Sequence, residues 1–237
     1  MTNAFVVVVT EVNVAPILQT ITQQTVAEGS LLSVNDAATD TDLPANTLTY
    51  SLISPPAGAS VNSSGLITWT PSEAQGPGTN TITAVVNDGT VSVTNSFVVV
   101  VTEVNSAPVL PTISQQTVAE GSLLSVNDAA TDSDIPANTL SYSLVNPPAG
   151  ASINSSGLIT WTPTEAQGPS TNTIMAVVND DTVNVTNSFV VVVTEVNVAP
   201  VLPTVSQQTV AEGTLLSVND AATDSDIPAN TLTYSLV

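Results

Sequence analysis

The chain repeats itself with a period of 92 residues. The dipeptides Ala15-Pro16, Ala107-Pro108 and Ala199-Pro200 stand 92 positions apart, and most of the residues between them recur in the same order. Self-similarity at a fixed spacing marks a tandem array, because each repeat is one structural unit. The sequence therefore predicts complete repeats at residues 15–106 and 107–198, the N-terminal half of a third repeat at 199–237, and the closing strand of a preceding repeat at 1–14.

Within each repeat, short runs rich in Val, Ile and Thr are separated by Gly, Pro, Asn and Asp. Such runs are typical of strands joined by turns, and no helical periodicity is present. In the first repeat they predict seven strands, at Leu18–Thr25, Leu31–Val34, Leu48–Ile53, Ser60–Asn62, Leu66–Thr70, Thr81–Val86 and Val91–Val104. Seven strands in a unit of this length indicate an all-β fold of tandem immunoglobulin-like sandwiches joined head to tail.

All side-chain charge in the chain has one sign. There are 20 Asp and Glu residues and no Lys, Arg, His or Cys, so the formal net charge is -20. Nucleic acids and anionic membranes are bound through Lys and Arg, so the sequence predicts neither as a partner. Catalysis by His, Cys or Lys is excluded, as are disulfides and zinc sites of Cys and His. The hydrophobic content of 42% still predicts a packed core.

The acidic residues fall into two groups along the predicted strands. Consecutive antiparallel strands run in opposite directions, so successive loops fall alternately at the two ends of a sandwich. In the first repeat one end, the lower pole, holds Glu28, Glu73, Glu103 and Asn105. The opposite end, the upper pole, holds Asp40, Asp42, Asn46 and Asp88. Asp36 has no equivalent partner and is predicted to be a surface or turn residue.

Short linkers between repeats are expected to bring a lower pole against the next upper pole, so each junction becomes a candidate metal site. The first junction comprises Glu28, Glu73, Glu103, Asn105, Asp132, Asp134, Asn138 and Asp180. The second comprises Glu120, Glu165, Glu195, Asn197, Asp224, Asp226 and Asn230. The equivalent residues near the start of the chain are Glu11, Asn13, Asp40, Asp42, Asn46 and Asp88.

Carboxylates gathered in this way need a counter-charge. Each close pair costs about 1 to 4 kcal/mol, depending on the effective dielectric constant, and the chain has no Lys or Arg to offset it. Ca²⁺ takes about 6 to 8 oxygen ligands from carboxylates, amides and carbonyls, whereas Mg²⁺ demands a tighter octahedron. The sequence therefore predicts Ca²⁺ as the cofactor.

Each motif also has an ordinary structural interpretation. Asp40-Thr-Asp42 before a proline is typical of an Asx-turn, and Asn87-Asp88-Gly89 is typical of a hairpin turn. Glu28 fits an ordinary turn, and Glu103 fits a solvated linker. Their joint recurrence on the expected poles at the 92-residue spacing favours the metal site.

These motifs resemble known families. The stretch Ala38–Leu52 resembles the upper-pole motif of cadherins, and Val101–Pro108 resembles the cadherin inter-domain linker. Trp69-Thr-Pro followed by Gln75-Gly76 is similar to bacterial putative-Ig and dystroglycan-type cadherin-like domains. The likeness covers both complete repeats and the partial third.

The resemblance implies cadherin-like sandwiches in a calcium-dependent extracellular rod, with ligand roles for the eight residues of the first junction. Two departures reduce the ligand set, since Pro71 and Ser106 stand where cadherins have acidic residues. The predicted function is a calcium-rigidified structural array, such as an adhesin stalk or a matrix fibre, at the cell surface or in a secreted matrix. Its partners are neighbouring repeats of the same chain and, in a fibre, identical chains. No apolar run reaches the length of a membrane span, so this segment is expected to make no membrane contact.

Two alternatives remain open. In the first, the chain is a filament subunit in which Ala4–Val12 adds as a strand to a neighbouring copy. In the second, it is a glycan-binding module or an enzyme in which Trp69 or Trp161 stacks on a sugar. A Trp inside a strand is more typical of a core, and acids shared by every repeat fit a scaffold better than an active site. No enzymatic activity is therefore predicted.

Overall fold

Alternation of apolar and polar residues decides which segments of the first repeat become strands. The structure is a computed structural model that describes residues 1–237. The strands of the first repeat are β1 (Gln24–Ala27), β2 (Leu32–Asn35), β3 (Thr49–Ile53), β4 (Ser60–Val61), β5 (Leu66–Trp69), β6 (Gly78–Asn87) and β7 (Ser92–Thr102). A 3-10 helix, Glu73–Gln75, follows β5.

The seven strands form two sheets. One has the order β1-β7-β6-β3 and the other β2-β5-β4. Only β1 pairs in parallel, with β7, and the remaining neighbours are antiparallel. The inward side chains of both sheets meet in one core, in which Trp69 is 1% exposed and Ile67 and Ile82 are fully buried. The all-β sandwich predicted from the sequence is therefore confirmed.

The first predicted strand is placed differently in the structure. Leu18–Thr25 was expected to form one strand, but β1 covers only Gln24–Ala27. Ile17 forms an isolated antiparallel bridge with Thr39, on the side of β2, before the chain crosses to pair with β7. The segment between is held by a side chain, because Asn95 Nδ2 donates to the Gln19 carbonyl oxygen at 2.8 Å.

Asp36 was predicted to be a surface or turn residue, but the structure buries it, with 2% of its surface exposed. Its Oδ1 accepts a hydrogen bond from Asn95 Nδ2 at 2.8 Å, while its Oδ2 is buried with no hydrogen-bond partner. Burial raises the pKa of Asp36, and the hydrogen bond from Asn95 lowers it by a smaller amount. The second repeat reproduces this pair with Asp128 and Asn187, 2.9 Å apart.

The second repeat has the same plan. Its strands are β8 (Gln116–Ala119), β9 (Leu124–Asn127), β10 (Ser141–Val145), β11 (Ser152–Ile153), β12 (Leu158–Trp161), β13 (Ser170–Asn179) and β14 (Asn184–Thr194). A 3-10 helix, Glu165–Gln167, follows β12. The sheet orders are β10-β13-β14-β8 and β11-β12-β9, and Trp161 lies 1% exposed in the core.

By contact density the chain divides into two units. Unit 1 is Met1–Ser106 with Ser133–Asn138, and unit 2 is Ala107–Asp132 with Thr139–Val237. The loop segment Ser133–Asn138 thus belongs with the residues of unit 1, although it lies within the second predicted repeat.

Residues 1–14 form no strand, although a closing strand was predicted there. Phe5 and Val6, for example, are 85% and 90% exposed. The matching strands β7 and β14 lie between two partners, and the chain supplies no such partners for residues 4–12. Residues 199–237 likewise contain no strand, only the bridge between Val201 and Thr223. None of the helices has the length and apolar character that crossing a membrane requires.

Candidate metal centre

Three glutamates come together in unit 2, each placed there by the end of a regular element. Glu120 follows β8, Glu165 opens the 3-10 helix, and Glu195 follows β14. Because β8 and β14 are parallel neighbours, their C-terminal ends lie side by side. One carboxylate oxygen from each residue lies within 4.8 Å of those of the other two.

The hydrogen bonds of this cluster leave several carboxylate oxygens without donors. The amides of Val196 and Ile227 donate to Glu120 Oε1 and Glu165 Oε1, each at 2.8 Å. Glu120 Oε2 and both oxygens of Glu195 are buried with no hydrogen-bond partner. Burial is the largest cause that raises the pKa of Glu195, followed by the neighbouring carboxylates of Glu120, Glu165 and Asp226.

A second group of predicted ligands adjoins these glutamates. Val198 N donates to Asp226 Oδ1 at 2.9 Å, and Asp226 N donates to Asp224 Oδ1 at 3.0 Å. Asn230 Nδ2 donates to Asp226 Oδ2 at 2.6 Å and to Asn197 Oδ1 at 3.2 Å. All seven residues predicted for the second junction therefore belong to unit 2.

A glycine makes room for the buried carboxylate in this cluster. A Cβ built on Gly168 would overlap Glu120 Oε2 and would stand 3.2 Å from Val193 Cγ1. Gly168 follows the 3-10 helix, and its N–H donates to the Glu165 carbonyl oxygen. Only glycine leaves the space that Glu120 occupies, which is why this position matters to the site.

Unit 1 repeats the arrangement with Glu28, Glu73 and Glu103. Val104 N donates to Glu28 Oε1 at 2.9 Å, and Ile135 N donates to Glu73 Oε1 at 2.8 Å. Glu28 is 6% exposed, and its Oε2 and both oxygens of Glu103 are buried without hydrogen-bond partners. Burial, followed by the carboxylates of Glu28, Glu73 and Asp134, raises the pKa of Glu103.

The remaining candidates of the first junction fall in both units. Asp134 and Asn138 are in unit 1, where Ser106 N donates to Asp134 Oδ1 at 2.9 Å. Asn138 Nδ2 donates to Asp134 Oδ2 at 2.7 Å and to Asn105 Oδ1 at 3.3 Å. Asp132 and Asp180 are in unit 2.

The candidates near the start of the chain also gather. Carboxylate oxygens of Asp40, Asp42 and Asp88 lie within 4.8 Å of one another. Asn13 Nδ2 donates to Asp88 Oδ2 at 3.0 Å, and Asn46 Nδ2 donates to Asp42 Oδ2 at 2.9 Å. Val14 N also donates to Asp42. The pKa of Glu11 is raised, first by partial desolvation and then by the neighbouring carboxylates of Asp42 and Asp40.

The ordinary turn interpretations describe part of this geometry. Asp42 N donates to Asp40 Oδ1 at 2.9 Å, as in an Asx-turn. Asp88 Oδ1 accepts from the amides of Thr90 and Val91, both at 2.7 Å. Hydrogen bonds from the Val91 amide, Asn13 and the Thr90 amide lower the pKa of Asp88. These turns therefore hold the carboxylates in place.

Sequence reasoning missed two features of the site. One is the set of backbone amides after β7 and β14, such as those of Val104 and Val196, which hold Glu28 and Glu120. The other is the space that Gly168 leaves for Glu120 and that Gly76, at the equivalent position of unit 1, leaves for Glu28. The signal for the glycines was available, because Ala-Gln-Gly-Pro recurs in both repeats directly after Glu73 and Glu165.

The tryptophans do not form a carbohydrate platform. Trp69 and Trp161 are each 1% exposed. Their Nε1 atoms donate to the carbonyl oxygens of Ala57 and Ala149, at 3.1 and 3.2 Å. Stacking of either ring on a sugar is therefore excluded in this fold.

A protein-family model described as "Putative Ig domain" matches residues 15–102 and 107–194. Among curated proteins, Chitinase A of Pseudoalteromonas piscicida is 37% identical over 123 residues, covering 50% of this chain. The aligned region spans only 15% of that enzyme.

Among solved structures, human protocadherin-24 EC1-2 is similar with 19% identity and a TM-score of 0.48, over 77% of this chain and 99% of that one. The extracellular cadherin domains 1–5 of protocadherin gamma B2 are similar with 18% identity and a TM-score of 0.44. That match covers 82% of this chain and 43% of the other.

Proposed function

The chain belongs to the Putative Ig domain family, and from that premise we propose that it is a non-catalytic, extracellular structural array whose acidic clusters bind Ca²⁺. The observation that carries this proposal is a set of buried carboxylate oxygens that lack hydrogen-bond donors, in a chain without Lys, Arg or His. A buried ionised group is costly unless it is paired or coordinates a metal. Ca²⁺ supplies the missing counter-charge.

The donor atoms fit this ion. The clusters offer carboxylate and Asn oxygens, which are ligands that Ca²⁺ prefers, and the chain has no His or Cys that could supply an imidazole or thiolate ligand. In unit 2 the ligands would be Glu120, Glu165 and Glu195, with Asp224 and Asp226 beside them. Ca²⁺ tolerates irregular geometry and high ligand numbers, whereas Mg²⁺ requires a near-ideal octahedron and retains several waters.

The bound ion would join segments that are far apart in the sequence. In unit 1 the three glutamates come from the turn after β1, the 3-10 helix and the exit from β7. The segment Ser133–Asn138 adds Asp134, which already accepts a hydrogen bond from Ser106 N. A metal held by these groups would restrict the linker at residues 103–106, because Glu103 and Asn105 would both be ligands. Stiffening of linkers is how a structural array would use calcium.

Calcium dependence also suits an extracellular location. Extracellular calcium modules typically bind with dissociation constants of about 10⁻⁴ to 10⁻³ M, so sites of this kind fill after export. The stabilisation follows mass action and amounts to about 1.4 to 2.7 kcal/mol per site at ~10 mM Ca²⁺ over that range of affinity.

Calcium titration by calorimetry, combined with thermal unfolding in EDTA and in Ca²⁺, tests the proposal. We expect unfolding midpoints to rise with Ca²⁺ and to rise much less with Mg²⁺ at the same concentration. Glu195→Gln keeps the side-chain shape but removes a charge, so it should weaken binding at the unit 2 cluster about tenfold or more. Asp181→Asn is the matched control, because Asp181 is exposed and outside the cluster. Equal midpoints in EDTA and Ca²⁺, or equal titrations for the two variants, would contradict the proposal.

A second candidate follows from the similarity to Chitinase A. We propose that, if this array is part of a larger polysaccharide-degrading enzyme, it acts as a spacer and not as the sugar-binding module, because both Trp rings are buried. A spacer predicts no retention of the purified chain on insoluble chitin. Retention that soluble chitin fragments compete away would instead assign a carbohydrate-binding role.

A further inference from the structure

The four-stranded sheet of each repeat ends in an unpaired strand. In the first repeat β3 lies at the edge of the order β1-β7-β6-β3, and in the second β10 holds the same place. Apart from the ladder with β6, no backbone–backbone hydrogen bond involves residues 49–53. The outward backbone groups of β3 therefore form an open edge.

Neither edge carries the protection that natural edge strands usually have. Charged residues, prolines and bulges normally prevent such strands from pairing with another chain. Thr49–Ile53 and Ser141–Val145 contain no charged residue and no proline, and both pair with their neighbours in an unbroken register.

The distribution of charge decides which direction of pairing is favourable. Thr49 lies opposite Asn87, the residue before Asp88, so the start of β3 lies near the cluster of Asp40, Asp42 and Asp88. Ile53 lies opposite Thr83, and no acidic residue occurs between positions 43 and 72. Parallel pairing of two copies would set acidic end beside acidic end. Antiparallel pairing sets each acidic end beside a neutral one.

We propose that β3 of one copy pairs antiparallel with β3 of a second copy about a two-fold axis at Ser51, and that β10 does the same at Ser143. Each sheet thereby becomes an eight-stranded sheet that runs through two chains. The second copy is favoured over an unrelated peptide because the strand is complementary to itself in this register.

The self-complementarity is visible on both faces of β3. A two-fold axis at Ser51 sets Tyr50 opposite Leu52 and Thr49 opposite Ile53. Tyr50 and Leu52 are half-buried, and Leu52 packs against the core, so pairing would cover apolar surface that is open in the single copy. Thr49, Ser51 and Ile53 are exposed on the other face, where no charge opposes the approach. In β10 the corresponding opposite pairs are Tyr142 with Leu144 and Ser141 with Val145.

Disulfide trapping tests the register. Because the chain has no native cysteine, an introduced cysteine can form a disulfide only with its copy in a second chain. Directly opposite residues in an antiparallel pair have Cα atoms about 4.5 to 5.5 Å apart, which lies within the range of a disulfide. Under mild oxidation we expect Ser51→Cys to form a covalent dimer at least about tenfold faster than Thr94→Cys. Thr94 is the control because it is also exposed but lies on β7, which is not the strand proposed to pair. Equal rates for the two variants would overturn the proposal.

A charge test checks the edge without covalent trapping. Sedimentation of the full chain, in Ca²⁺ and in EDTA at physiological salt, measures self-association across a concentration series. We expect Ser51→Lys combined with Ser143→Lys to shift the chain to monomer, because like charges then face each other across the axis. Thr94→Lys combined with Thr186→Lys adds the same charge elsewhere and should leave association unchanged. A wild-type chain that stays monomeric throughout, or equal association of both variants, would refute edge pairing, and circular dichroism confirms that the variants fold.

Discussion

At the scale of single residues, Gly76 determines how the unit 1 cluster can form. A Cβ at this position would overlap Glu28 Oε2 and would stand 2.9 Å from Val101 Cγ1. Its counterpart Gly168 has the same relation to Glu120. The two glycines are therefore needed for space, and the groups that need it are the proposed metal ligands.

Gly76→Ala is accordingly expected to displace the Glu28 carboxylate. Inserting a methyl group into a packed region typically costs about 1 to 3 kcal/mol, and calcium binding at this cluster should weaken as well. Chemical unfolding and calcium titration of the same variant measure both effects.

Gly78→Ala is the matched control for this substitution. The nearest atom to a Cβ there is the Gln75 carbonyl oxygen at 3.4 Å, and the second repeat carries Ser170 at the equivalent position. Its stability should change by no more than about 0.5 kcal/mol. Equal losses for the two variants would show that the space at Gly76 is not special.

At the scale of elements, the strands could be predicted because an alternating apolar face has few other ways to be buried. Ile82, Ala84 and Val86 alternate with exposed or half-buried neighbours along β6, and the structure buries all three. The first strand was predicted too early because Leu18–Gln23 has strand-like composition. Composition does not show that Asn95 holds this segment while the chain changes sheets.

For the candidate site too, the sequence predicted some features and not others. Strand direction is a property of chain order, so the gathering of Glu28, Glu73 and Glu103 could be predicted from turns and loops alone. Asp36 was misplaced, because its burial depends on Asn95, 59 positions away, and no local pattern marks that pair. Which residues become ligands stays a prediction until an ion is measured.

The buried Asp36, which accepts a hydrogen bond from Asn95, makes the stability of the first repeat depend on pH. Its pKa is raised in the folded chain, so the folded state holds the proton more tightly than the unfolded state. The stability linked to this group is fully present below its unfolded pKa of about 3.9, and it is lost as pH rises through the higher folded value. Asp36→Asn removes the titration and keeps an acceptor for Asn95. Relative to wild type, the variant should gain stability as pH rises through that window.

Urea unfolding of both chains across the acidic range measures this difference. The comparison isolates Asp36 because the other carboxylates are common to the two chains. Asp181→Asn serves as the control, since Asp181 is exposed. A constant difference between Asp36→Asn and wild type at every pH would contradict the predicted linkage.

At the scale of the whole molecule, the distribution of charge separates surfaces with different roles. None of the 20 acidic side chains lies in a strand, so all of them lie in loops, turns, the two 3-10 helices or the flanking segments. The sheets can therefore pack and pair without charge repulsion, while the loops carry the whole charge of -20. Folding of the metal-free chain must overcome repulsion among those loops.

Salt should therefore stabilise the metal-free chain. Net charge far from zero destabilises a compact state by self-repulsion, and the screening length falls from about 30 Å at 0.01 M to about 3 Å at 1 M salt. In EDTA we expect unfolding midpoints to rise steadily with NaCl over that range. With saturating Ca²⁺ the rise should be much smaller, because bound ions already neutralise the clusters.

Sucrose is the control, because it is uncharged and stabilises proteins by being excluded from their surface. It should raise the unfolding midpoint equally with and without Ca²⁺. Unfolding midpoints in EDTA that do not change with NaCl would mean that the loops are too far apart for their charges to repel. The chain would then need no bridging cation.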